Sequence, residues 1–330
     1  MSGLVLLTGA TGFAGSHVLE ALLASGYRVR IPVRPTSNLH WIPDEGVERV
    51  TADLRDPAGL AALTRGVSWI FHFGGVTRVP KRGDYDRVNN RGTQDLYRAA
   101  CAAGEGPELF LFCSSLAAGG PSSSAASPRR EEDPPAPISP YGRSKLDAER
   151  WLEQQHPPPS TRLLIVRPPA VYGPRDRAVL TLVRWASRGV LPLPAPRGSL
   201  VSLIHARDLA SACLFLAEGG HRGVFHATDG VLHSWENVGE TLAPFVGRRL
   251  HSIRIPAPLV WLAGMCGEVV GTLGARMPVV NRDKVRDILR PYWTASCEKL
   301  AAAGFRPRID LEEGLRETVE WYRAQKWLRS

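Results

Sequence analysis

Apolar residues in the first half of the chain follow two alternating patterns: short continuous runs, and segments in which they recur every third or fourth position. Continuous runs bounded by turn residues are typical of strands buried on both faces, and the spaced pattern is typical of amphipathic helices. We predict strands at Leu4–Leu7, Arg28–Val33, Trp69–Phe73, Leu109–Cys113 and Leu163–Val166, and helices at Gly15–Ser25, Pro57–Arg65, Asn89–Ala103 and Tyr141–Gln155. Because helices alternate with strands, the strands are predicted to be parallel and covered on both faces, as in a doubly wound α/β sheet.

The first predicted strand runs into a glycine-rich turn that opens the first helix. Gly9 allows a tight turn, Gly12 allows a diphosphate to approach the backbone, and Gly15 allows the helix to pack closely on the sheet. Amide groups at the helix start, with the positive end of its dipole, would hold the diphosphate. The predicted contacts are Gly9, Thr11, Gly12, Phe13, Ala14 and Gly15. The junction predicts a dinucleotide-binding Rossmann fold, although the G-x-x-G-x-x-G spacing differs from G-x-G-x-x-G and an ordinary turn is the alternative.

The end of the second strand bears on which dinucleotide binds. An acidic residue there would accept hydrogen bonds from the ribose hydroxyls of NAD, whereas a basic residue suits the extra phosphate of NADP. Arg34 follows the strand, and no acidic residue occurs before Asp44. A guanidinium group can pair with a phosphate and stack on adenine. The sequence therefore favours NADP, with NAD as the alternative cofactor. The alternative for Arg34 itself is a solvated surface residue that binds no cofactor.

Two changes of pattern suggest the domain organisation. Residues Gly119–Pro140 are rich in Ser, Pro and Gly, which predicts a long loop. Beyond Pro168 the pattern becomes irregular and rich in proline. We predict an NAD(P)-binding Rossmann domain at residues 1–168, to which segments near 200–228 return, and a smaller, mainly substrate-binding lobe at 169–330.

Composition narrows the classes of partner. With 330 residues, 44% hydrophobic, the chain can bury one large core with an appended lobe. Its net charge of +9 is spread along the sequence, which predicts no nucleic-acid partner. The five cysteines are widely spaced and form no C-x-x-C pair, so the sequence indicates neither a disulfide framework nor a zinc or other metal site.

Two apolar segments bear on location. Met1 leads directly into an apolar strand without the basic region and cleavage site of a signal peptide, which predicts a cytoplasmic protein. Ile255–Pro278 is the most membrane-like segment, but prolines, glycines and Glu268 interrupt it, so no membrane span is predicted. We interpret this segment as a helix of the second lobe, with an interfacial helix as the alternative.

Three side chains form a candidate catalytic group. Tyr141 and Lys145 are four positions apart at the start of a predicted helix and therefore lie on one face of it. A phenol has a reference pKa of about 10, so a nearby ammonium group helps it to exchange a proton near neutrality. Ser114 and Ser115 end an apolar strand, where ligands bind in doubly wound sheets. Ser115 would hydrogen-bond the substrate oxygen beside Tyr141.

These residues and motifs make the chain resemble the extended short-chain dehydrogenases/reductases. This NAD(P)-dependent epimerase/dehydratase family includes dihydroflavonol-reductase-like and 3β-hydroxysteroid-dehydrogenase-like enzymes. The resemblance extends over nearly the whole chain. It is carried by Thr8–Gly15, Asp53-Leu54, His72-Phe73-Gly74-Gly75, Val88-Asn89, Ser114-Ser115, Tyr141 with Lys145, Arg167–Pro174, Ile204–Leu209 and Gly304–Pro307.

The resemblance implies further cofactor contacts. Asp53 and Leu54 would border the adenine, and Gly74 and Gly75 would line the cofactor cleft. The remaining implied contacts are Asn89, Ser114, Tyr141, Lys145, Pro168 and Val171. Alanines are usual in the family at the positions of Gly74 and Gly75, so we expect a wider cleft. For each of these residues, a packing role is the structural alternative.

The implied reaction is hydride transfer between nicotinamide and a carbonyl or hydroxyl carbon. Tyr141 would move the proton, Lys145 would lower the phenol pKa and hold the ribose, and Ser115 would orient the oxygen. A dehydratase of the family would carry an acid pair where Leu116 and Ala117 stand, which disfavours dehydration.

The apolar composition of the second lobe favours an apolar small-molecule substrate. A sugar-nucleotide epimerase is the alternative, although the tyrosine common in such enzymes is absent after Ser115. A non-catalytic nucleotide-sensing scaffold is the third candidate function. The resemblance also implies a homodimer formed through the helices predicted at Asn89–Ala103 and Tyr141–Gln155.

Overall fold

A computed structural model describes residues 3–54, 56–79, 83–102, 106–155, 158, 160–194, 196–272 and 282–328. The chain divides into two compact units. The first unit consists of Met1–Ala118, Pro140–Arg167 and Leu209–Phe225, and the second of Gly119–Ser139, Pro168–Asp208 and His226–Ser330.

Up to β6 the described elements largely alternate as the apolar pattern predicts, and the elements after β6 were not predicted individually. The strands are β1 Leu4–Thr8, β2 Arg28–Val33, β3 Val47–Thr51, β4 Trp69–His72, β5 Leu109–Cys113, β6 Arg162–Arg167, β7 Ala170–Tyr172, β8 Val190–Leu193, β9 Leu200–His205, β10 Gly223–His226, β11 Leu232–Ser234, β12 His251–Arg254 and β13 Tyr292–Trp293. The helices are α1 Phe13–Ala24, α2 Pro57–Thr64, α3 Gly83–Tyr85, α4 Gly92–Ala102, α5 Leu116–Gly119, α6 Pro140–Gln154, α7 Arg177–Ala186, α8 Ala206–Glu218, α9 Trp235–Val246, α10 Ala257–Thr272, α11 Arg282–Ile288, α12 Glu298–Ala302 and α13 Leu311–Ala324.

The first unit is built on a seven-stranded sheet of order β10-β6-β5-β4-β1-β2-β3. The strands from β6 to β3 pair in parallel. The strand order reverses between β1 and β4, the position at which doubly wound sheets bind ligands beyond the carboxyl ends of their strands. The predicted doubly wound α/β fold is confirmed.

The apolar runs form the interior of this sheet. Leu6, Ile70, Phe110 and Ile165, from four neighbouring strands, are each fully buried in one core cluster. Strands covered on both faces need such continuous apolar runs, which is why their sequence pattern is strong. The edge strand β3 carries exposed residues at three of its five positions and was not predicted.

The helix predicted at Asn89–Ala103 begins as an α-helix only at Gly92, because the residues before it are π-helical. A π-helical segment, Asp86–Arg91, follows α3 and leads directly into α4. π-Helical turns are rare and insert one residue per turn, which rotates the side chains that follow them. Ala103 lies outside the described residues.

The second unit contains two small sheets. One has the order β11-β9-β13, with β7 also paired to β9, and the other pairs β12 with β8. Its core is formed by α7, α9 and α13 and includes the buried residues Val183, Leu242, Val319 and Tyr322.

Residues 120–139 contain neither a helix nor an extended strand in the described structure, as predicted for a loop. Hydrogen bonds of Ser122 to Tyr292 and of Arg129 to Thr294 fix this loop to the β13 region.

The segment predicted to be membrane-like contains α10, with residues 273–278 outside the described part. Within the residues that the structure describes, none of the helices combines the length and the apolar character needed to cross a membrane.

Candidate active site

The glycine turn between β1 and α1 requires glycine at two of its three positions. Gly9 has φ of +78°, and a Cβ there would lie 2.6 Å from the backbone of Phe73. A Cβ on Gly15 would lie 2.1 Å from the carbonyl oxygen of Gly9. Gly12 donates its N–H to the same oxygen at 2.9 Å and closes the turn. The predicted junction therefore brings the start of α1 against the end of β1.

The N-terminus of α1 is suited to bind an anion. Its N-cap residue is Gly12, no side chain caps it, and its first turn contains no acidic residue. Thr11, Phe13 and Ala14 around it are all partly accessible. Amide groups at an uncapped helix start attract a phosphate, so these residues fit the diphosphate of a dinucleotide.

Lys145 lies buried on α6, with 4% of its surface exposed. Its Nζ donates a hydrogen bond of 2.8 Å to the carbonyl oxygen of Cys113, at the end of β5, and lies 4.6 Å from the ring centroid of Phe112. Burial lowers the pKa of Lys145, while nearby Cys113 and Glu149 act in the opposite direction. The ammonium group is thereby held at the carboxyl edge of the sheet.

Tyr141 is one helical turn before Lys145 and is partly accessible. Its ring packs against Tyr85, with the ring centroids 6.0 Å apart. The carbonyl oxygen of Tyr141 accepts a hydrogen bond from Ser144 at 2.8 Å. The first turn of α6 therefore presents a phenol and an ammonium group on one face, as the spacing predicts.

Asn89 connects α6 to the segment after β4. Its Oδ1 accepts from the N–H of Val76 at 2.8 Å, and its Nδ2 donates to the carbonyl oxygen of Val76 and to Ser144 Oγ. A Cβ on Gly75 would lie 3.0 Å from Asn89 Oδ1 and 3.4 Å from Lys145 Nζ. The structure thus brings Asn89, Gly75 and Lys145 together.

The two serines after β5 differ in environment. Ser114 is 3% exposed, and its Oγ has no hydrogen-bond partner among the residues that the structure describes. Ser115 Oγ accepts from the N–H of Ala117 at 3.2 Å and remains able to donate its proton. A buried hydroxyl without a partner is costly, so Ser114 is suited to a bound ligand.

The expectation that Gly74 and Gly75 widen the cleft is wrong. A Cβ on Gly74 would lie 2.7 Å from Leu54 Cδ1 and 2.9 Å from Thr8 Oγ1, so these side chains already occupy the space. The glycines permit close packing instead. Asp53, beside Leu54, is partly accessible after β3.

His72 was not singled out as a site residue from the sequence, yet it links three parts of the site. Its Nδ1 lies 2.6 Å from Thr8 Oγ1, which accepts from the N–H of Gly74. Its Nε2 lies 2.9 Å from Thr93 Oγ1, which donates to the carbonyl oxygen of Asn89. Because Thr93 Oγ1 donates its proton to Asn89, Nε2 of His72 carries a proton, and in the neutral ring Nδ1 accepts from Thr8 Oγ1.

Burial, followed by the charge of Lys145, lowers the pKa of His72 to about 3. The ring is therefore neutral at physiological pH. The sequence signals for this role were a polar residue at the end of an apolar strand and its place in the His72-Phe73-Gly74-Gly75 motif.

Three other predicted contacts, Arg34, Pro168 and Val171, stay predictions. Arg34 is exposed directly after β2, in a turn closed by its N–H bond to Ser37 Oγ at 2.9 Å. Pro168 and Val171 belong to the second unit, where Val171 pairs with Ile204 of β9.

The chain is similar to known proteins over most of its length. A family model described as the NAD dependent epimerase/dehydratase family matches residues 5–226. Ceramide reductase of Caulobacter vibrioides is 33% identical over 329 residues, covering 99% of this chain and 96% of that protein. UDP-glucose 4-epimerase of Vibrio cholerae is 29% identical, covering 96% of this chain and 94% of that protein.

A solved structure of UDP-glucose 4-epimerase from Thermus thermophilus, in complex with NAD, superposes with a TM-score of 0.77 at 25% identity. The match covers 97% of this chain and 99% of that one. Relatives with reductase and epimerase names therefore share nearly the full length of the chain.

Proposed function

Because the chain belongs to the NAD-dependent epimerase/dehydratase family and is an enzyme of the extended short-chain dehydrogenase/reductase class, we propose that it reduces the ketone of an apolar, lipid-like substrate with NADPH. The observation that carries the proposal is the position of Lys145. Its buried ammonium group lies at the carboxyl edge of the sheet, one turn from Tyr141 and beside β5, which Ser114 and Ser115 follow. This arrangement suits proton transfer to a carbonyl oxygen.

The cofactor, when bound, supplies a hydride to the carbonyl carbon of the substrate. Tyr141 donates the phenolic proton to the oxygen, which becomes the hydroxyl of the product. Lys145 stabilises the resulting phenolate through its positive charge. Ser115 orients the substrate oxygen by donating a hydrogen bond to it from its hydroxyl group.

The uncapped start of α1 and the glycine turn support binding of the diphosphate. We assign Ser114, Asn89 and Gly75 to the nicotinamide end, because they surround Lys145 or follow β5. Arg34, exposed after a strand that lacks an acidic end, supports the preference for NADPH over NADH.

The substrate class rests on two observations. The relative named ceramide reductase aligns over nearly the whole length of both chains. The residues that follow Ser115 are Leu116, Ala117 and Ala118, so the tyrosine found there in many sugar-nucleotide epimerases is absent. Both observations favour an apolar ketone over a sugar nucleotide.

The decisive experiment supplies the purified full chain with NADPH and a ceramide that carries a ketone, dispersed in detergent. We expect oxidation of NADPH in step with formation of the hydroxylated lipid, measured by absorbance and mass spectrometry. The reduction would be disproved if neither were seen while the enzyme acted on another substrate class.

A UDP-glucose 4-epimerase activity is the second candidate, supported by the relative of that name in Vibrio cholerae. Incubation with UDP-glucose and NAD, without a reductant, separates the two functions. Appearance of UDP-galactose without net reduction of the cofactor would favour the epimerase. We expect no such product.

A further inference from the structure

Helix α10 exposes apolar side chains along most of its described length. Leu259, Leu262 and Met265 have 55%, 51% and 40% of their surfaces exposed. Ile253, on the strand just before the helix, is 51% exposed. A contiguous apolar surface of this kind marks an interaction site in a water-soluble domain.

After the first residue of the helix, Ala257, the exposed residues form one face. At about 100° per residue, positions 258, 259, 262, 263, 265 and 266 fall within an arc of roughly 160°. All six are exposed, whereas Val260 and Gly264, on the opposite side, are buried. The sequence from Pro256 to Gly267 contains no charged residue. A helix that is apolar on its outer face as well as its inner face lacks the polar side that water requires.

Basic residues flank this apolar face. Residues 248–290 contain eight Lys and Arg and three Asp and Glu. Arg248 and Arg249 precede β12 and are exposed, and α11, which packs against α10, carries exposed Arg282, Lys284 and Arg286. Arg254 is paired with Glu236. An apolar face bordered by cations complements a surface that is apolar inside and anionic outside.

We propose that α10 and its basic flanks dock the protein on the surface of an anionic lipid bilayer, with Leu259, Leu262 and Met265 inserted among the lipid chains. The helix lies along the interface rather than across the bilayer. This inference rests on the exposed face and its charges and stands apart from the proposed reduction.

The test measures co-sedimentation of the full-length protein with vesicles. The vesicles contain either equimolar phosphatidylcholine and phosphatidylglycerol or phosphatidylcholine alone. We expect binding to the anionic vesicles that weakens as salt is raised, because the cations act through a screened field. The double variant Leu259→Glu/Leu262→Glu is expected to bind the anionic vesicles at least about tenfold more weakly.

Two further variants make the test specific. Val231→Glu places the same charge at an equally exposed apolar residue between β10 and β11 and should bind as the wild type does. Arg248→Glu/Arg249→Glu should weaken binding to anionic vesicles by about tenfold or more and leave the weak binding to phosphatidylcholine unchanged. Thermal unfolding and NADPH binding of each variant establish that it is folded.

Two results would overturn the proposal. One is wild-type protein that stays in the supernatant with anionic vesicles at low salt. The other is equal vesicle binding by the wild type and by Leu259→Glu/Leu262→Glu. If the wild type does not bind vesicles, and Leu259→Glu/Leu262→Glu changes the mass measured by sedimentation without vesicles, the apolar face joins two copies of this chain instead. None of these readouts uses a substrate, so failure here leaves the proposed reduction untouched.

Discussion

At the residue scale, the site depends on a lysine that is almost fully buried. Its ammonium group is compensated by the carbonyl oxygen of Cys113 and the ring of Phe112. Burying a charge is costly unless it is paired. A lysine at this buried position is therefore expected only where the site needs a positive charge. Lys145 is therefore the residue that best distinguishes an active centre from a packing arrangement.

We predict that Tyr141→Phe lowers turnover by about 10²- to 10⁴-fold, because the ring stays in place while the proton donor is lost. NADPH affinity should change little, since the phenol acts on the substrate oxygen. Steady-state rates and fluorescence titration of NADPH check both parts.

Tyr85→Phe is the matched control for that variant. Tyr85 packs against the same ring, and its hydroxyl donates to the carbonyl oxygen of Thr77 at 3.3 Å. It should retain near wild-type turnover. Undiminished activity of Tyr141→Phe would show that another group supplies the proton.

For the cofactor preference, we predict that Arg34→Ala weakens NADPH binding about tenfold and leaves NADH binding unchanged, because only NADPH carries the phosphate that the guanidinium pairs with. Parallel titrations of both dinucleotides provide the measurement. Arg28→Ala, at the opposite end of β2, is the control. A wild-type protein that prefers NADH would contradict the assignment.

His72 makes stability depend on pH. Its folded pKa of about 3 is below the reference value of 6.5, so between these values the unfolded chain binds a proton that the folded chain does not. The free energy of unfolding therefore falls as the pH drops from 6.5 towards 3, by up to about 1.4 kcal/mol per pH unit. His72→Gln keeps one donor and one acceptor without this titration and should flatten the dependence.

Urea unfolding at several pH values between 7 and 4 measures this difference in slope. His40→Gln, at an exposed position, serves as the control and should keep the wild-type slope. Equal slopes for the wild type and His72→Gln would mean that the ring is already protonated in the folded protein.

At the element scale, three polar side chains of α6 follow one another at a spacing of four residues. Tyr141, Lys145 and Glu149 lie on one face, and Glu149 accepts a hydrogen bond of 3.0 Å from Arg167 Nε. Glu149 and Arg167 are 1% and 5% exposed. This buried ion pair joins α6 to β6 and so fixes the helix that presents Tyr141 and Lys145.

We predict that Glu149→Gln lowers the free energy of unfolding by about 3–5 kcal/mol, because it removes the carboxylate that is hydrogen-bonded to a buried guanidinium. Denaturant unfolding checks the value. Glu240→Gln, at an exposed position of α9, should change stability by less than about 0.5 kcal/mol. A loss below about 1 kcal/mol for Glu149→Gln would show that water reaches the pair.

Elements with strong apolar patterns were predicted to within a few residues, and β2 and β5 without error. The edge strand β3 escaped prediction because its exposed positions give no apolar run. The π-helical segment before α4 was also missed, since the spacing of apolar residues does not distinguish a short π-helical segment from an α-helix.

At the scale of the whole molecule, the homodimer implied by the family resemblance stays a prediction. Sedimentation equilibrium of the full chain should give twice the 36.0 kDa of one chain, with α4 and α6 in the interface. Arg98→Glu, at an exposed position of α4, should shift the protein towards the monomer without unfolding it. A monomeric wild type would contradict the prediction.

The sequence by itself determined the doubly wound sheet, the glycine turn and the shared face of Tyr141 and Lys145. Each depends on spacing within one strand, turn or helix, and backbone geometry converts such spacing directly into structure. The membership of the family followed from the same local motifs.

Tertiary structure alone decided which distant groups meet. Thr8 and His72 are 64 positions apart, and Lys145 and Cys113 are 32 apart, yet each pair is hydrogen-bonded. It also decided that Leu54 and Thr8 fill the space beside Gly74. Periodicity fixes the face on which a side chain lies, but its partner depends on how strands and helices are arranged in three dimensions, and that arrangement comes from the burial of the whole core.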